Sequence, residues 1–112
     1  MNTHIVGVKG EELAKTYLIK NKYKILEQNY TTKLGEIDII AQFKNIVVFV
    51  EVKQRQSARF GLPREAVTPY KQQKIRRVAQ LYLLKSGLNN ANCRFDSIDI
   101  LGEEITHIEN AF

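Results

Sequence analysis

The sequence predicts an α/β fold in which a mixed β-sheet is flanked by helices, with its elements in the order α-β-β-β-α-β and a short final strand. Three observations predict it. Two segments carry apolar residues at helical spacing. Others are rich in β-branched and aromatic residues with period-two alternation. These segments succeed one another along 112 residues, the length of one domain spanning 1–112.

Helix one is read from about Gly10 to Lys20, where Leu13, Ala14, Tyr17 and Leu18 make an apolar stripe. Glu11 precedes Ala14 by three residues and Leu18 by seven, so it sits at the edge of the buried face. "YKILEQNY", Tyr23 to Tyr30, reads as a first strand and Thr31 to Gly35 as a polar turn. "EIDIIA" alternates, with Ile37, Ile39 and Ala41 on one face and Glu36, Asp38 and Ile40 on the other. After the connection "QFKN", "IVVFVEVK" is nearly continuous in apolar residues, the pattern of a strand covered on both faces. These two strands, joined by a few polar residues, are expected to pair as a hairpin. Gln54 to Ala66 reads as a long basic loop holding Phe60, Gly61 and Pro63. Thr68 and Pro69 supply an N-cap and a first helical position for a second helix that stops at Gly87, with a core stripe of Ile75, Val78, Ala79 and Tyr82. "RFDSIDIL" and "EITHI" complete the strands.

Composition excludes several classes. At 44% hydrophobic and 26% charged residues the chain has globular composition, and no stretch approaches the roughly 20 apolar residues of a membrane span. "MNTHIVGVKGEE" lacks the apolar centre of a secretory signal, so the cytoplasm is the expected location. With Cys93 as its only cysteine, the chain can form neither an intramolecular disulfide nor a cysteine-based zinc cage. The net charge of +5 favours polyanionic partners. Its bases are grouped: Arg55, Arg59 and Arg64 share the loop, while Lys71, Lys74 and Arg77 project from one face of the second helix.

Strand three poses the chemical question, because Glu51 and Lys53 share a face at period two, where core packing asks for neither. Asp38 meets them if the hairpin register brings the polar faces together, and Glu11 is offered from helix one. Carboxylates crowded in a partly buried site repel one another unless a cation neutralises them. Magnesium suits such a site, since it takes oxygen ligands, few of them from protein, and completes its shell with water and phosphate oxygens. A lysine alongside can orient the attacking water and offset charge growing on a phosphodiester.

The residues "GEIDIIA", "VFVEVKQR", "ARFG" with Pro63, Glu65, Ala66, Val67 and Lys71, then "RFD" and the terminal "NAF", resemble the YraN-like family of bacterial proteins over nearly the whole chain. That family is similar to the archaeal Holliday junction resolvases, within the restriction-endonuclease-like PD-(D/E)xK nucleases. The resemblance implies a restriction-endonuclease-like domain with magnesium or manganese as cofactor. The motif's aspartate falls on Asp38, its second acid on Glu51, its lysine on Lys53 and the helix-one acid on Glu11. Ile37 stands where the motif has proline, a departure that does not touch the chemistry. Implied with it are a DNA substrate, branched or otherwise structured, cleaved by Asp38, Glu51 and Lys53, and metal held by Glu11, Asp38 and Glu51. Phosphates would be gripped by Arg55, Arg59, Arg64, Lys71, Lys74 and Arg77. The resolvases work as symmetric dimers, so a homodimer is the corresponding expectation.

Two rivals stand beside the endonuclease. One is a DNA-binding module of the same fold without turnover, supporting recombination, repair or uptake. The other is a protein-interaction subunit, for which the bases would not converge on the carboxylates. Glu36 reads as a strand-end ion-pair partner or a supplementary ligand. His4 and His107 lack ligand spacing, and Asp96 and Asp99, three apart in a strand, face opposite sides. Tyr17 and Tyr82 lie on core stripes, which leaves Phe60 as the aromatic expected near nucleic acid.

Overall fold

The computed structural model describes residues 3–55 and 67–112, with side chains from Gly10 onward. Its elements are α1 (Thr3–Lys20), β1 (Lys24–Thr32), β2 (Gly35–Phe43), β3 (Ile46–Arg55), α2 (Pro69–Lys85), β4 (Asn92–Leu101) and β5 (Glu104–Ile108). β1, β2 and β3 form an antiparallel meander; β4 joins β3 in parallel after α2, and β5 folds back antiparallel on β4. The result is one mixed sheet in the order β1-β2-β3-β4-β5, the restriction-endonuclease-like arrangement that the sequence predicts. Arg59, Phe60 and Arg64 lie outside the described residues, as does the side chain of His4. No described helix is long and apolar enough to cross a membrane.

β3 divides the core. Val47 and Phe49 pack with Ile75, Val78, Ala79 and Tyr82 of α2, while Val48 and Val50 pack with Ala14 and Leu18 of α1. Burial on both faces is why this strand lacks a polar alternation over its first five residues. Thr68 caps α2, its hydroxyl accepting from the Lys71 amide at 3.2 Å, and Pro69 occupies the first turn, where its missing N–H costs nothing.

Several boundaries differ from the sequence expectation, each for a local reason. α1 begins at Thr3 and runs through Gly10, since extending an existing helix fixes one residue per bond gained. Gly10 is where α1 touches β3, and a Cβ there would stand 2.9 Å from Gln54 Cδ. The first turn shrinks to Lys33 and Leu34, because Thr31 and Thr32 pair with Glu36 and Gly35. The second is only Lys44 and Asn45, with Phe43 paired to Ile46. β3 continues through Arg55, held in parallel register by Leu101, so the expected basic loop loses its first two residues to the sheet.

β4 and β5 are fastened to α1 by a buried polar network. Asp96, fully buried, accepts from Arg94 Nε at 2.9 Å and Nη2 at 2.8 Å and from the Asn110 amide at 3.2 Å. His107 Nε2 lies 2.7 Å from Asp96 Oδ2, and His107 Nδ1 lies 3.1 Å from the Tyr17 hydroxyl. Burial alone would raise the Asp96 pKa, but the bonds from His107, Arg94 and Asn110 outweigh it and hold the carboxyl below its ordinary range. An ionised Asp96 is acceptor-only, so His107 donates to it from Nε2, while Nδ1 shares a hydrogen bond with the Tyr17 hydroxyl. Arg94 also donates to the Tyr23 hydroxyl at 2.7 Å. Asp96 therefore serves the architecture, on the opposite face of β4 from Asp99, as the sequence spacing requires.

Removing this anion leaves Arg94 with only the exposed Glu109, 3.2 Å from its Nη1, as counter-charge. Asp96→Asn is expected to lower unfolding stability by about 3 kcal/mol, the usual cost of breaking one side of a buried pair, measured by urea titration at neutral pH. A loss within about 0.5 kcal/mol, typical of surface changes, would contradict this role.

Candidate functional site

Where β2 and β3 reach their ends beneath the start of α2, the sheet opens into a cleft. Gly35, Glu36 and Asp38 of β2 and Glu51 of β3 form its floor; Thr68, Tyr70, Lys71, Lys74 and Ile75 form the facing wall. Gly35 has φ 150°, a conformation glycine adopts easily. A side chain there would contact Lys74 and Val78.

The hairpin register decides the floor. Pairing of Ile39 with Val50 puts Asp38 opposite Glu51 one step further along, on the α2 side that carries Ile40 and Phe49. Hydrogen-bonded and non-bonded pairs alternate from Phe43↔Ile46, so Ile37↔Val52 would be the next bonded pair. Instead the Val52 amide donates to Asp38 Oδ2 at 2.8 Å. The carboxylate replaces a ladder carbonyl, and the strands part there. Ile37 consequently packs with Ile40 in the α2-side core rather than with Ile39 and Ala41, which corrects the simple alternation expected for this strand.

Burial is the largest of the effects that push the Asp38 carboxyl from 3.8 up to about 7. The facing Glu51 adds to it, the Val52 amide opposes it, and Glu11 and Glu36 raise it further. Asp38 thus feels all three of the other acids. Glu51 is itself buried at 7% exposure and forms an ion pair with Lys71 Nζ. Glu11 stands further off, its Oε2 accepting from Asn29 Nδ2 at 3.1 Å; Asn29 lies opposite Asp38 in the β1–β2 register, with φ 50°. Among the described residues no three acidic, histidine or cysteine side chains are gathered into one group, and Glu11 stands apart from Asp38 and Glu51. The reason is that Glu11 comes from the α1 side of the sheet, whereas Asp38 and Glu51 face α2.

The bases are distributed unevenly. Lys71 and Lys74 line the cleft, with Lys74 Nζ 4.8 Å from the centroid of the Tyr70 ring. Arg77 lines a separate hollow with Leu34, Leu81 and Leu84, away from the acids. Arg55 is partly buried at the end of β3, its carbonyl accepting the Gly102 amide at 3.0 Å. Lys53 follows Glu51 on the same face, in parallel register with Asp99, whose carboxylate accepts from Ser97 Oγ at 2.8 Å. Two of the expected bases, Lys71 and Lys74, thus stand on the same cleft as the acids.

Sequence reasoning missed Asn29, Tyr70 and the Ser97–Asp99 pair. An asparagine in a strand tolerates positive φ, a weak signal for Asn29. Tyr70, exposed beside the N-cap at 68%, was visible as the first aromatic of the second helix. The placement of Ser97 and Asp99 depends on a parallel register that no local pattern encodes.

The uncharacterised protein family UPF0102 matches residues 10–100. The chain belongs to this family. That membership agrees with the YraN-like resemblance. A UPF0102 protein of Caldanaerobacter subterraneus subsp. tengcongensis is 49% identical over 119 residues, covering 100% of this chain and 98% of the relative. One of Clostridioides difficile is 47% identical and covers 100% of both. One of Geobacter sulfurreducens is 44% identical, over 96% of this chain and 88% of its own length. The matched span contains every acid of the cleft and both of its lysines.

Because the folded pKa of Asp38 lies above the unfolded one, the native state binds this proton more tightly. The stability it contributes is present below 3.8 and is lost as the pH rises to about 7. In chelator, the melting temperature of the parent is expected to fall between about pH 4.5 and about pH 8, and Asp38→Asn to remove most of that slope. Equal slopes for parent and variant would show that Asp38 is not the strained acid.

Proposed function

We propose that this chain is an endonuclease that hydrolyses phosphodiester bonds in DNA, branched or otherwise structured, with magnesium or manganese as cofactor. One observation carries the reading: two carboxylates, the half-buried Asp38 and the buried Glu51, face each other across β2 and β3, and two lysines of α2 close the same cleft above them. A floor of acids beneath a wall of bases suits a cation and the phosphate it serves.

The donor set fits a hard divalent ion. Magnesium binds through one or two carboxylates and keeps waters and substrate oxygens for the rest of its shell, so a pair of acids suffices. Asp38 is raised to about 7 largely by burial and by Glu51, effects that a bound cation would oppose. Asp38 and Glu51 would hold the ion, with Glu11 close enough to be felt and tethered through Asn29. When bound, the ion would polarise the scissile phosphate and lower the pKa of a water.

The chain's own residues supply the remainder. Val52 fixes the Asp38 carboxylate through its amide, so the acid is oriented before substrate arrives. Lys53, one step beyond Glu51 on the same face, orients the attacking water and offsets charge developing on the phosphate. Lys71 and Lys74 grip phosphates on the other side of the cleft, and Arg55, with Arg59 and Arg64 from outside the described residues, would add further phosphate contacts. These contacts position DNA without reading its bases. A homodimer would present two such clefts to the two equivalent strands of a four-way junction.

A second reading is a DNA-binding module of the same fold without turnover. It is favoured by the ion pair that already occupies Glu51. A panel of linear, single-stranded, flapped and four-way DNA, incubated with and without magnesium or manganese beside a Glu51→Gln control, separates the two. Metal-dependent cleavage by the parent alone supports the enzyme, and binding without cleavage on every substrate supports the module.

Lys53→Ala is expected to slow cleavage by roughly a hundredfold or more while leaving manganese binding intact, read by single-turnover assay and calorimetry. Parental cleavage rates would remove Lys53 from the mechanism. Replacing Lys74 and Arg59 together with alanine should weaken every DNA substrate by a similar factor and make the salt slope of log K shallower by about two. A parental slope would count against both phosphate contacts.

A further inference from the structure

Lys71 contacts Glu51 from α2, three residues beyond the N-cap Thr68. The two partners differ sharply in exposure: the Lys71 side chain is 49% exposed and that of Glu51 only 8%. The acid is fixed and the base is free to leave. An ion pair with one exposed partner contributes little to folding, since water and side-chain entropy offset most of the attraction. Its placement is therefore more informative than its strength. The ammonium covers Glu51 Oε1 beside Asp38, at the place where the proposed cation would bind.

Building on the nuclease reading, we infer that Lys71 is a resident counter-cation that must leave Glu51 for the divalent ion to bind, and that its displaced ammonium then serves as a phosphate contact. A single ammonium and a divalent ion cannot share one carboxylate oxygen at low cost, because two positive centres a few ångströms apart in a partly buried cleft repel strongly. Lys71 leaves readily because half of its side chain already meets solvent. It stays in the cleft because its helix wall is fixed there: Lys74, one turn on, lines the same wall and leans on Tyr70. Released from Glu51, Lys71 joins Lys74 as a second donor facing the floor. Metal uptake thereby converts an internal ion pair into an anion site, and the two binding events favour each other.

Competition and coupling make separate demands, and both are measurable without turnover. Calorimetric titration with manganese chloride should show Lys71→Met binding the ion about fivefold or more tightly than the parent, since the methionine keeps the length and removes the competitor. Lys71→Arg keeps the charge and should bind near the parental affinity. Manganese should strengthen binding of a cleavage-resistant phosphorothioate duplex, measured by fluorescence anisotropy, more in the parent than in Lys71→Met. Should Lys71→Met fold poorly, Lys71→Gln serves the same comparison. Manganese affinity in Lys71→Met equal to or weaker than the parent's, while Glu51→Gln loses the ion, would overturn the counter-cation role and leave the metal site standing. Parental manganese affinity in Glu51→Gln would overturn the metal site itself.

Discussion

The hydrogen bond from the Val52 amide to Asp38 is the constraint on which the rest of the cleft depends. Up to Ile39↔Val50 the β2–β3 ladder is regular, and each carbonyl finds an amide. One side chain then takes over a backbone position, so the ladder ends without leaving the Val52 donor buried and unpaired. Three consequences follow from this substitution. Asp38 is fixed in orientation, Ile37 is released to the α2-side core, and the strand ends part widely enough for α2 to close over two acids. Losing the bond would cost more than its own strength, because the amide would be left without a partner.

The molecule holds its two groups of charge in opposite ways. Around Asp96 every acceptor is matched: Arg94, His107 and the Asn110 amide converge on one carboxylate, and its pKa falls despite complete burial. Around Asp38 the balance runs the other way, with one amide set against burial and three acids. The first arrangement is that of a fastening, and the second is the one the proposed nuclease reading calls for, a strained charge that a ligand would relieve. Both lie in one sheet of five strands, so position within the fold does not distinguish them. The inventory of partners does.

Much of this was legible in the sequence wherever a short-range rule governed the outcome. The α2 stripe of Ile75, Val78, Ala79 and Tyr82 is buried as its spacing predicts, and Thr68 and Pro69 begin that helix. Opposition of Asp38 and Glu51 was legible only as a condition on the hairpin register, which the two-residue turn at Lys44 and Asn45, tighter than the connection expected, then sets. Illegible features were those set by contacts distant in the chain. Lys71 reaches Glu51 only because a crossover returns α2 over the sheet, so "EVK" could suggest a base for Glu51 but not the one α2 supplies. His107 and Asp96, unremarkable by spacing, meet because β5 pairs antiparallel with β4 and sets His107 opposite Ile98. Gly10 looked like a helix start and is instead a point of close approach, a distinction that lies in Gln54, a neighbour in space alone.

The order of connections along the sheet carries a consequence for how the chain assembles. Asp38 and Glu51 are joined across the two-residue turn at Lys44 and Asn45, so closing that loop costs little entropy. Lys71 is brought in by the connection from Arg55 to Asn92, which must span the whole of α2 before β4 can pair with β3. Closure of so long a segment is entropically dearer, and parallel pairing that depends on it is intrinsically slow. The local meander alone suffices to bring the two acids together, whereas the base that balances Glu51 depends on the crossover. The crossover is tied to the sheet by the Lys71–Glu51 ion pair as well as by the apolar contacts of Ile75 and Val78, so the acid that the meander supplies becomes an anchor for the helix that closes over it.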